Sequence, residues 1–424
     1  MPTADSQERV LSQVEAATEE QIDFTQRLVR LPTVNPPGRH YRDGARLIGD
    51  QLQSLGFEVD YLSPDPSEHP SEFPRVNVVG LRQGPPEGTT VHLNGHFDVV
   101  PPGDGWTRDP FSGLVENGRL HGRGSADMKG GLAAAIFAAA ALLRSGVRLD
   151  GSLEVSGTVD EESGGFAGVA WLAEQGRLTS ERVDHVIIPE PFGVDRICTG
   201  HRGVYWFKVE SHGVIGHGSM PFLGVNAIEN PGPVLEAFRT RLQPKLAERR
   251  TAMPVVPPEA RRATLNINAI LGGQAGMEPQ TPCVADHCEV IFDRRFLPEE
   301  GFESTREEIE SLLRQVEEEG PQRRYTLTDL MVVHPVQAPP DSALTRALQN
   351  AILEVVETPA TLVASPGTYD QKHVTRIGGI ESCVAYGPGE LELAHQPDES
   401  CSVDDLVTST KVMALALLEL VGGD

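Results

Sequence analysis

Five short stretches bring histidines and carboxylates to the ends of apolar runs. The first is His96-Phe97-Asp98, after the run 90–94 (TVHLN). Residues two apart on a strand share a face, and a carboxylate beside an imidazole can orient the ring toward a metal. The second is Gly122-Arg123-Gly124-Ser125-Ala126-Asp127-Met128-Lys129-Gly130-Gly131, which places Asp127 ahead of an Ala-rich run. The third, Asp160-Glu161-Glu162, follows the apolar run 153–158. The fourth is Pro189-Glu190-Pro191, after 183–188, with a glutamate held between two prolines. The fifth, Ala394-His395-Gln396-Pro397, lies in a Gly/Pro-rich loop.

Taken singly, each stretch has a plain structural reading. His96 and Asp98 can be a structural pair, Asp127 a helix N-cap, and the acidic triplet a solvated turn. The glycine loop lacks the order of a phosphate-binding loop. Taken together, two histidines and three carboxylates, mostly at strand C-termini, form an N and O donor set suited to Zn2+. Asp127 can bridge two ions, with one further His and one further Glu for each. Glu161 is left over as a general base toward an attacking water.

The elements that must position these residues are legible in the patterning. Strands are predicted over 57–62, 77–81, 90–94, 153–158 and 183–188. Helices are predicted over 7–30, 45–55, 130–145 and 166–175. This alternation implies an α/β fold with a mixed, mostly parallel sheet flanked by helices. Near Gly203 the order changes to strand 204–210, helix 227–246, strands 263–271 and 288–295, helix 303–319 and strand 325–333. That is the ferredoxin-like β-α-β-β-α-β order. From about Pro335 the chain returns, with helices 342–356 and 403–420 around a short strand 382–386. The implied organisation is a catalytic domain in two parts, 1–202 and 335–424, carrying an inserted lid, 203–334.

With these motifs in order, the sequence resembles the di-zinc amidohydrolase and peptidase family. That family includes aminoacylase, acetylornithine deacetylase, succinyl-diaminopimelate desuccinylase and glutamate carboxypeptidase. The resemblance spans nearly the whole chain. It implies that His96 and Glu190 ligate one metal, that Glu162 and His395 ligate the other, and that Asp127 bridges them. Asp98 is then the partner that orients His96, and Glu161 the catalytic base. The implied cofactors are two divalent ions, zinc first, with Co2+ or Mn2+ as alternatives.

The lid carries its own candidates. Gly213-Val214-Ile215-Gly216-His217-Gly218-Ser219-Met220-Pro221, then Gly224-Val225-Asn226-Ala227-Ile228, resembles the family's dimer-contact motif. The resemblance implies a homodimer through the lid, with His217 reaching across it to stabilise an oxyanion. The plain alternative is a loop histidine capping the next helix. Asp293-Arg294-Arg295 matches a strand whose second arginine binds the substrate carboxylate, so Arg295 and Asn226 are substrate-binding candidates. The alternative for Arg295 is an ion pair with Asp293 or Glu299. Two stretches depart from the family. Pro282-Cys283-Val284-Ala285-Asp286 lacks the usual Asn and Pro. Gly367-Thr368-Tyr369-Asp370 replaces Gly-Gly-Thr-Asp and is followed by Gln371-Lys372-His373. Gly367 and Thr368 remain pocket candidates, and His373 is either a pocket or a packing residue.

The bulk properties agree. Of 424 residues, 36 are Lys or Arg and 61 are Asp or Glu, for a net charge of −25. That excludes nucleic-acid backbones and anionic membrane surfaces as partners. Five cysteines without a CxxC pair, and an N-terminus without a signal-peptide pattern, fit a reducing cytoplasm. The apolar run 130–143 is too short to span a bilayer. The sequence therefore implies a metal-dependent hydrolase of an amide-type C–N bond in a small carboxylate-bearing substrate. N-acyl amino acids and dipeptides are the first candidates. The alternatives are an unusual C–N compound, such as an aromatic amine or carbamoyl derivative, and a non-catalytic relative.

Overall fold

The computed structural model describes residues 2–67, 72–320 and 322–423. The chain divides into two units. One runs to Gly200 and takes in Gln337–Val363 and the residues from Tyr369 onward; the other is His201–Val336 with the short segment Ala364–Thr368. The expected lid, 203–334, lies inside the second unit, which also takes Gly367 and Thr368.

A nine-stranded sheet forms the frame of the first unit. At its centre Ser152–Thr158, Thr90–His96, His185–Ile188 and Cys383–Ala385 run parallel. Asn77–Arg82 and Glu58–Leu62 extend one side antiparallel, and Arg196–His201 pairs antiparallel on the other. The sheet is thus mixed, with its parallel strands in the middle. Ser152–Thr158 is buried along its whole length. Strands covered on both faces read as continuous apolar or small-residue runs rather than alternating ones.

The helix Lys129–Arg144 is buried from Lys129 to Leu142. Its Ala and Gly content allows close approach: a Cβ on Gly131 would lie 1.8 Å from the Pro189 carbonyl oxygen. The terminal helix Val403–Val421 starts at Ser402, whose side chain accepts the Asp405 N–H. Ser342 caps Ala343–Val356 in the same way.

In the first unit two predicted helices differ. The stretch 7–30 forms two helices, Ala4–Ala16 and Thr18–Arg30, broken at Ala17. Neither glycine nor proline marks the break; it lets Val10 and Val14, then Phe24, Leu28 and Val29, each turn to the core. The stretch 166–175 forms a wide turn, Phe166–Ala170, and a four-residue helix, Trp171–Glu174. Gly168 is non-helical there, and a Cβ on it would meet the Val159 carbonyl oxygen at 2.1 Å. A small sheet of Leu114–Glu116, Arg119–His121 and Ser400–Ser402 was not predicted, since three-residue strands show no periodicity.

The second unit is an antiparallel sheet in the order Thr264–Gly273, His287–Phe296, Gly203–His212, Tyr325–Val333. This is the ferredoxin-like arrangement that the element order implies. Along His287–Phe296 alternate residues are buried. Phe292 stacks on Phe207 at 4.9 Å and meets Phe238 edge-on. The predicted helix 227–246 begins only at Pro231 and runs as Pro231–Ala237, a wider turn Phe238–Leu242 and Gln243–Glu248. Proline suits a first helical turn, and here it sets the start of the first and last segments.

Candidate active site

Parallel strands present their C-terminal ends to one edge of the sheet, and the candidate residues collect there. His96 is the last residue of Thr90–His96. Its Nε2 lies 3.2 Å from Asp127 Oδ1 and 3.9 Å from Glu190 Oε1. On the other side of Asp127, His395 Nε2 lies 3.4 Å from Oδ2. The same nitrogen is 3.1 Å from Glu162 Oε2. Asp127 therefore stands between two His–Glu sets.

Each member of the acidic triplet has a different partner, and these partners offset the repulsion among the three. Asp160 accepts the Tyr41 hydroxyl at 2.9 Å and Arg75 Nε at 2.7 Å. Glu161 Oε1 faces Lys372 Nζ at 3.2 Å. Glu162 faces His395. The backbone makes this divergence possible: Asp160, Gly164 and Gly165 have φ of 64°, 110° and 78° around a single 3-10 turn. Two of these three left-handed positions carry glycine, the residue that adopts them without strain.

Asp98 holds that turn. Its Oδ1 and Oδ2 accept the Glu161 and Glu162 N–H groups, each at 3.2 Å. Asn35 Nδ2 bridges Asp98 Oδ2 and Ser163 Oγ at 2.9 and 2.8 Å. The expected contact with His96 is made differently: His96 Nδ1 bonds the main-chain oxygen of Asp98 at 3.0 Å, while the carboxylate lies 3.6 Å away. Three N–H donors draw the carboxylate toward the turn instead.

Burial and neighbouring charges both shift the groups of this cluster, together at some residues and in opposition at others. Burial pushes Glu162 up to about 7 and Asp98 up to about 6. Burial, then the charge of Asp127, holds Glu190 well above the usual carboxylate range. His395 is raised to about 10 by its hydrogen bonds to Asp127 and Glu162. His96 also rises well above its ordinary value; burial opposes this, but Asp127, Glu190 and Asp98 outweigh it. Carboxylates that favour a proton, beside imidazoles that favour a positive charge, form a site that bound cations would relieve.

The donor set fits two ions. Ligand atoms of His96, Asp127 and Glu190 lie within 4.8 Å of one another, and so do those of Asp127, Glu162 and His395. Each group offers one imidazole nitrogen, one carboxylate of its own and the shared Asp127.

The remaining candidates belong to the second unit, except His373. His217 is exposed, and its Nδ1 accepts the Ser219 N–H at 3.1 Å. Asn226 makes a local turn, accepting the Ile228 N–H at 3.0 Å and donating to Glu229 at 3.1 Å. Arg295 forms a two-point ion pair with Asp293 at 2.8 and 3.0 Å, the alternative noted for it in the sequence. The Gly367 N–H bonds Ser365 Oγ at 3.1 Å, and Thr368 is half-buried beside it. His373, in the first unit, is buried; its Nε2 bonds the Gly164 carbonyl oxygen at 2.6 Å and its ring packs on Phe166 at 5.5 Å.

Sequence reasoning missed four contributors. Asn35 ties Asp98 to the acidic turn. Glu399 Oε1 accepts the Ala126 and Asp127 N–H groups, at 2.9 and 3.1 Å. Arg123 pairs with Glu399 Oε2 at 2.6 Å. Lys372 meets Glu161. The only signal in the chain was a cation, Arg123, inside the glycine loop, and a carboxylate, Glu399, four residues after His395.

Residues 92–419 match peptidase family M20/M25/M40. A succinyl-diaminopimelate desuccinylase of Methylobacterium radiotolerans is 30% identical over 411 residues, covering 93% of this chain and 95% of that protein. Human carnosine dipeptidase 1 shares the fold with a TM-score of 0.77 and 21% identity, over 99% of both chains. A dinuclear metal-binding peptidase of the M20 family from Bacillus subtilis shares it with a TM-score of 0.66 and 17% identity, over 96% of this chain and 99% of that one. The chain belongs to the M20/M25/M40 family. It is accordingly a metal-dependent hydrolase of amide-type C–N bonds.

Proposed function

We propose that the chain removes the acyl group of an N-acyl amino acid, or splits a dipeptide, with Glu161 as general base. The observation that carries this reading is the pair of three-residue donor sets sharing Asp127, with Glu161 beside them and in neither set. His96 and Glu190 would hold one ion, Glu162 and His395 the other, with Asp127 between; zinc fits such N and O donors first, ahead of Co2+ or Mn2+. When bound, two such ions would acidify an attacking water, from about 15.7 toward about 7. Glu161 accepts the water proton and delivers it to the leaving nitrogen. Asp98, through the two N–H groups it accepts, holds Glu161 and Glu162 in register. In the second unit, Arg295, Asn226, Gly367 and Thr368 are the proposed contacts to the substrate carboxylate and its surroundings.

A homodimer through the second unit belongs to the same reading. Its edge strand Thr264–Gly273 exposes Ile267, Ile270 and Leu271, and the nearby loops expose Val214, Ile215, Phe222 and Leu223. An apolar, unpaired strand edge of this kind needs covering. His217 would then act across the dimer on the partner's substrate. A cytoplasmic setting is supported by five cysteines that form no disulfide among the described residues, four of them buried. No helix among the described residues is long and apolar enough to cross a membrane.

The test is metal analysis of the purified protein together with hydrolysis of a panel of N-acyl amino acids, dipeptides, aromatic amides and carbamoyl compounds. Two equivalents of metal per chain and turnover of an acyl amino acid or dipeptide support the reading. Metal-bound protein that turns over only the aromatic or carbamoyl members would replace the substrate class.

A further inference from the structure

We propose that Lys372 is a positioning residue of the reaction: its ammonium fixes the carboxylate of Glu161 in the orientation that takes the proton. The proposal rests on the reading of Glu161 as general base.

Lys372 lies in the short helix Gln371–Arg376 and is buried, with its side chain 6% exposed. A lysine is seldom buried without a counter-charge, because desolvating an ammonium is costly. The counter-charge here is Glu161, whose Oε1 lies 3.2 Å from Nζ. The residue comes from the stretch in which the chain departs from the pattern it otherwise resembles.

The helix that carries Lys372 is tied on two sides to the elements around the base. Asp370, immediately before it, accepts Asn94 Nδ2 from the strand Thr90–His96 at 3.2 Å. His373, immediately after Lys372, bonds the Gly164 carbonyl oxygen in the turn that carries Glu161. Gly165 lets the two segments approach, since a Cβ there would meet Asp370 Oδ1 at 2.7 Å. Lys372 is therefore carried by a helix that is hydrogen-bonded to the strand Thr90–His96 and to the turn that carries Glu161.

The chemical consequence follows from the two oxygens of a carboxylate. Lys372 engages Oε1, which leaves Oε2 as the oxygen that receives the proton. Among the described residues Lys372 is the hydrogen-bond partner of the Glu161 carboxylate, so without the ammonium that side chain can rotate about its bonds. Loss of a near-attack geometry of this kind costs about 100-fold in rate.

The experiment compares Lys372→Met, Lys372→Arg, Glu161→Gln and the double variant Lys372→Met/Glu161→Gln, with the panel substrate that the wild type turns over fastest. The expected result for Lys372→Met is full metal content, unchanged KM and a kcat about 100-fold lower. Lys372→Arg recovers part of that loss. The double variant is no slower than Glu161→Gln alone, because both changes act on one group. A raised KM with an intact kcat would make Lys372 a substrate anchor and overturn the proposal, as would wild-type kcat in Lys372→Met. If Lys372→Met melts below the assay temperature, Lys372→Gln replaces it under the same criteria. Wild-type turnover in Glu161→Gln overturns the base assignment itself. An inactive Glu161→Gln beside a fully active Lys372→Met overturns only the role of Lys372.

Discussion

Arg123 and Glu399 form a buried ion pair at 2.6 Å that ties the Asp127 and His395 loops together. Glu399 also accepts the N–H groups of Ala126 and Asp127, and Arg123 also donates to the His395 and Gln396 carbonyl oxygens, each at 3.2 Å. The guanidinium lies over the Trp106 ring at 5.1 Å. Asp127 and His395, 268 residues apart in number (395 − 127), thus share one anchor.

The first prediction follows from that anchor. Glu399→Gln keeps the shape but loses the charge, so the Asp127 loop and the His395 loop are tied less firmly. Metal affinity should fall about 10- to 100-fold, as is typical when a group supporting metal ligands is changed. Competition with a chelator measures it, and an unchanged affinity removes this role from Glu399. Replacing Arg123 by Met leaves a buried carboxylate without its partner, which costs about 3–5 kcal/mol of stability in comparable cases. Denaturant unfolding of the variant tests the size of that loss.

Glu161→Gln should bind both ions and lose turnover. General acid–base groups contribute about 100- to 10,000-fold in rate, and the fall in kcat should lie in that range. Metal content near that of the wild type is essential to the interpretation. A variant that loses both metal and activity would instead make Glu161 part of the metal site.

The exposed apolar edge of the second unit leads to a prediction about assembly. Ile270→Asp places a charge in the middle of the edge strand Thr264–Gly273, where Ile270 is 53% exposed. Sedimentation should show a dimer for the wild type and a monomer for the variant. If His217 acts across that dimer, mixing inactive Glu161→Gln and inactive His217→Ala protein should restore turnover. The mixed dimer then contains one site with both groups intact. Exchanging dimers that stay inactive would confine His217 to its own chain.

His373 gives a pH-dependent prediction. Burial, then the charge of Lys372, lowers it from 6.5 to about 4. The folded protein keeps this ring neutral, while the unfolded chain takes up the proton more readily. Its contribution to stability is therefore complete above about pH 6.5 and is lost as the pH falls from there toward 4, at up to about 1.4 kcal/mol per pH unit. His373→Asn removes this term, so its stability should fall less than that of the wild type between pH 7 and pH 5. Denaturant titrations at the two pH values decide it, and parallel losses in both proteins would exclude His373 as the source.

Much of the frame could be read from residue patterns. The strand 325–333 and the starts of the helices at Ala343 and Val403 follow from periodicity and from the serines that precede those helices. The break at Ala17 could not be read, because no residue type there disfavours a continuous helix. It arises where two apolar stripes must face one core. The start of the 231–248 segment at Pro231 was signalled by its prolines, yet the apolar run before it pointed earlier. The strands of three residues at 114–116, 119–121 and 400–402 lie below the length at which a two-residue period can be recognised.

By itself the sequence marked out the candidate metal donors and their order, because metal chemistry needs specific donor atoms and those are written in residue types. His96, Asp127, Glu161, Glu162, Glu190 and His395 stood out in the chain before any geometry was known. Tertiary structure decided how their charges are balanced. Asp160 goes to Arg75 and Tyr41, Glu161 to Lys372, Glu162 to His395, and the Asp98 carboxylate to three N–H donors, closer than the His96 ring. None of these pairings leaves a trace at fixed sequence spacing. A buried charge is made tolerable by whichever partner the folded chain brings within about 3 to 4 Å, and that partner can lie hundreds of residues away.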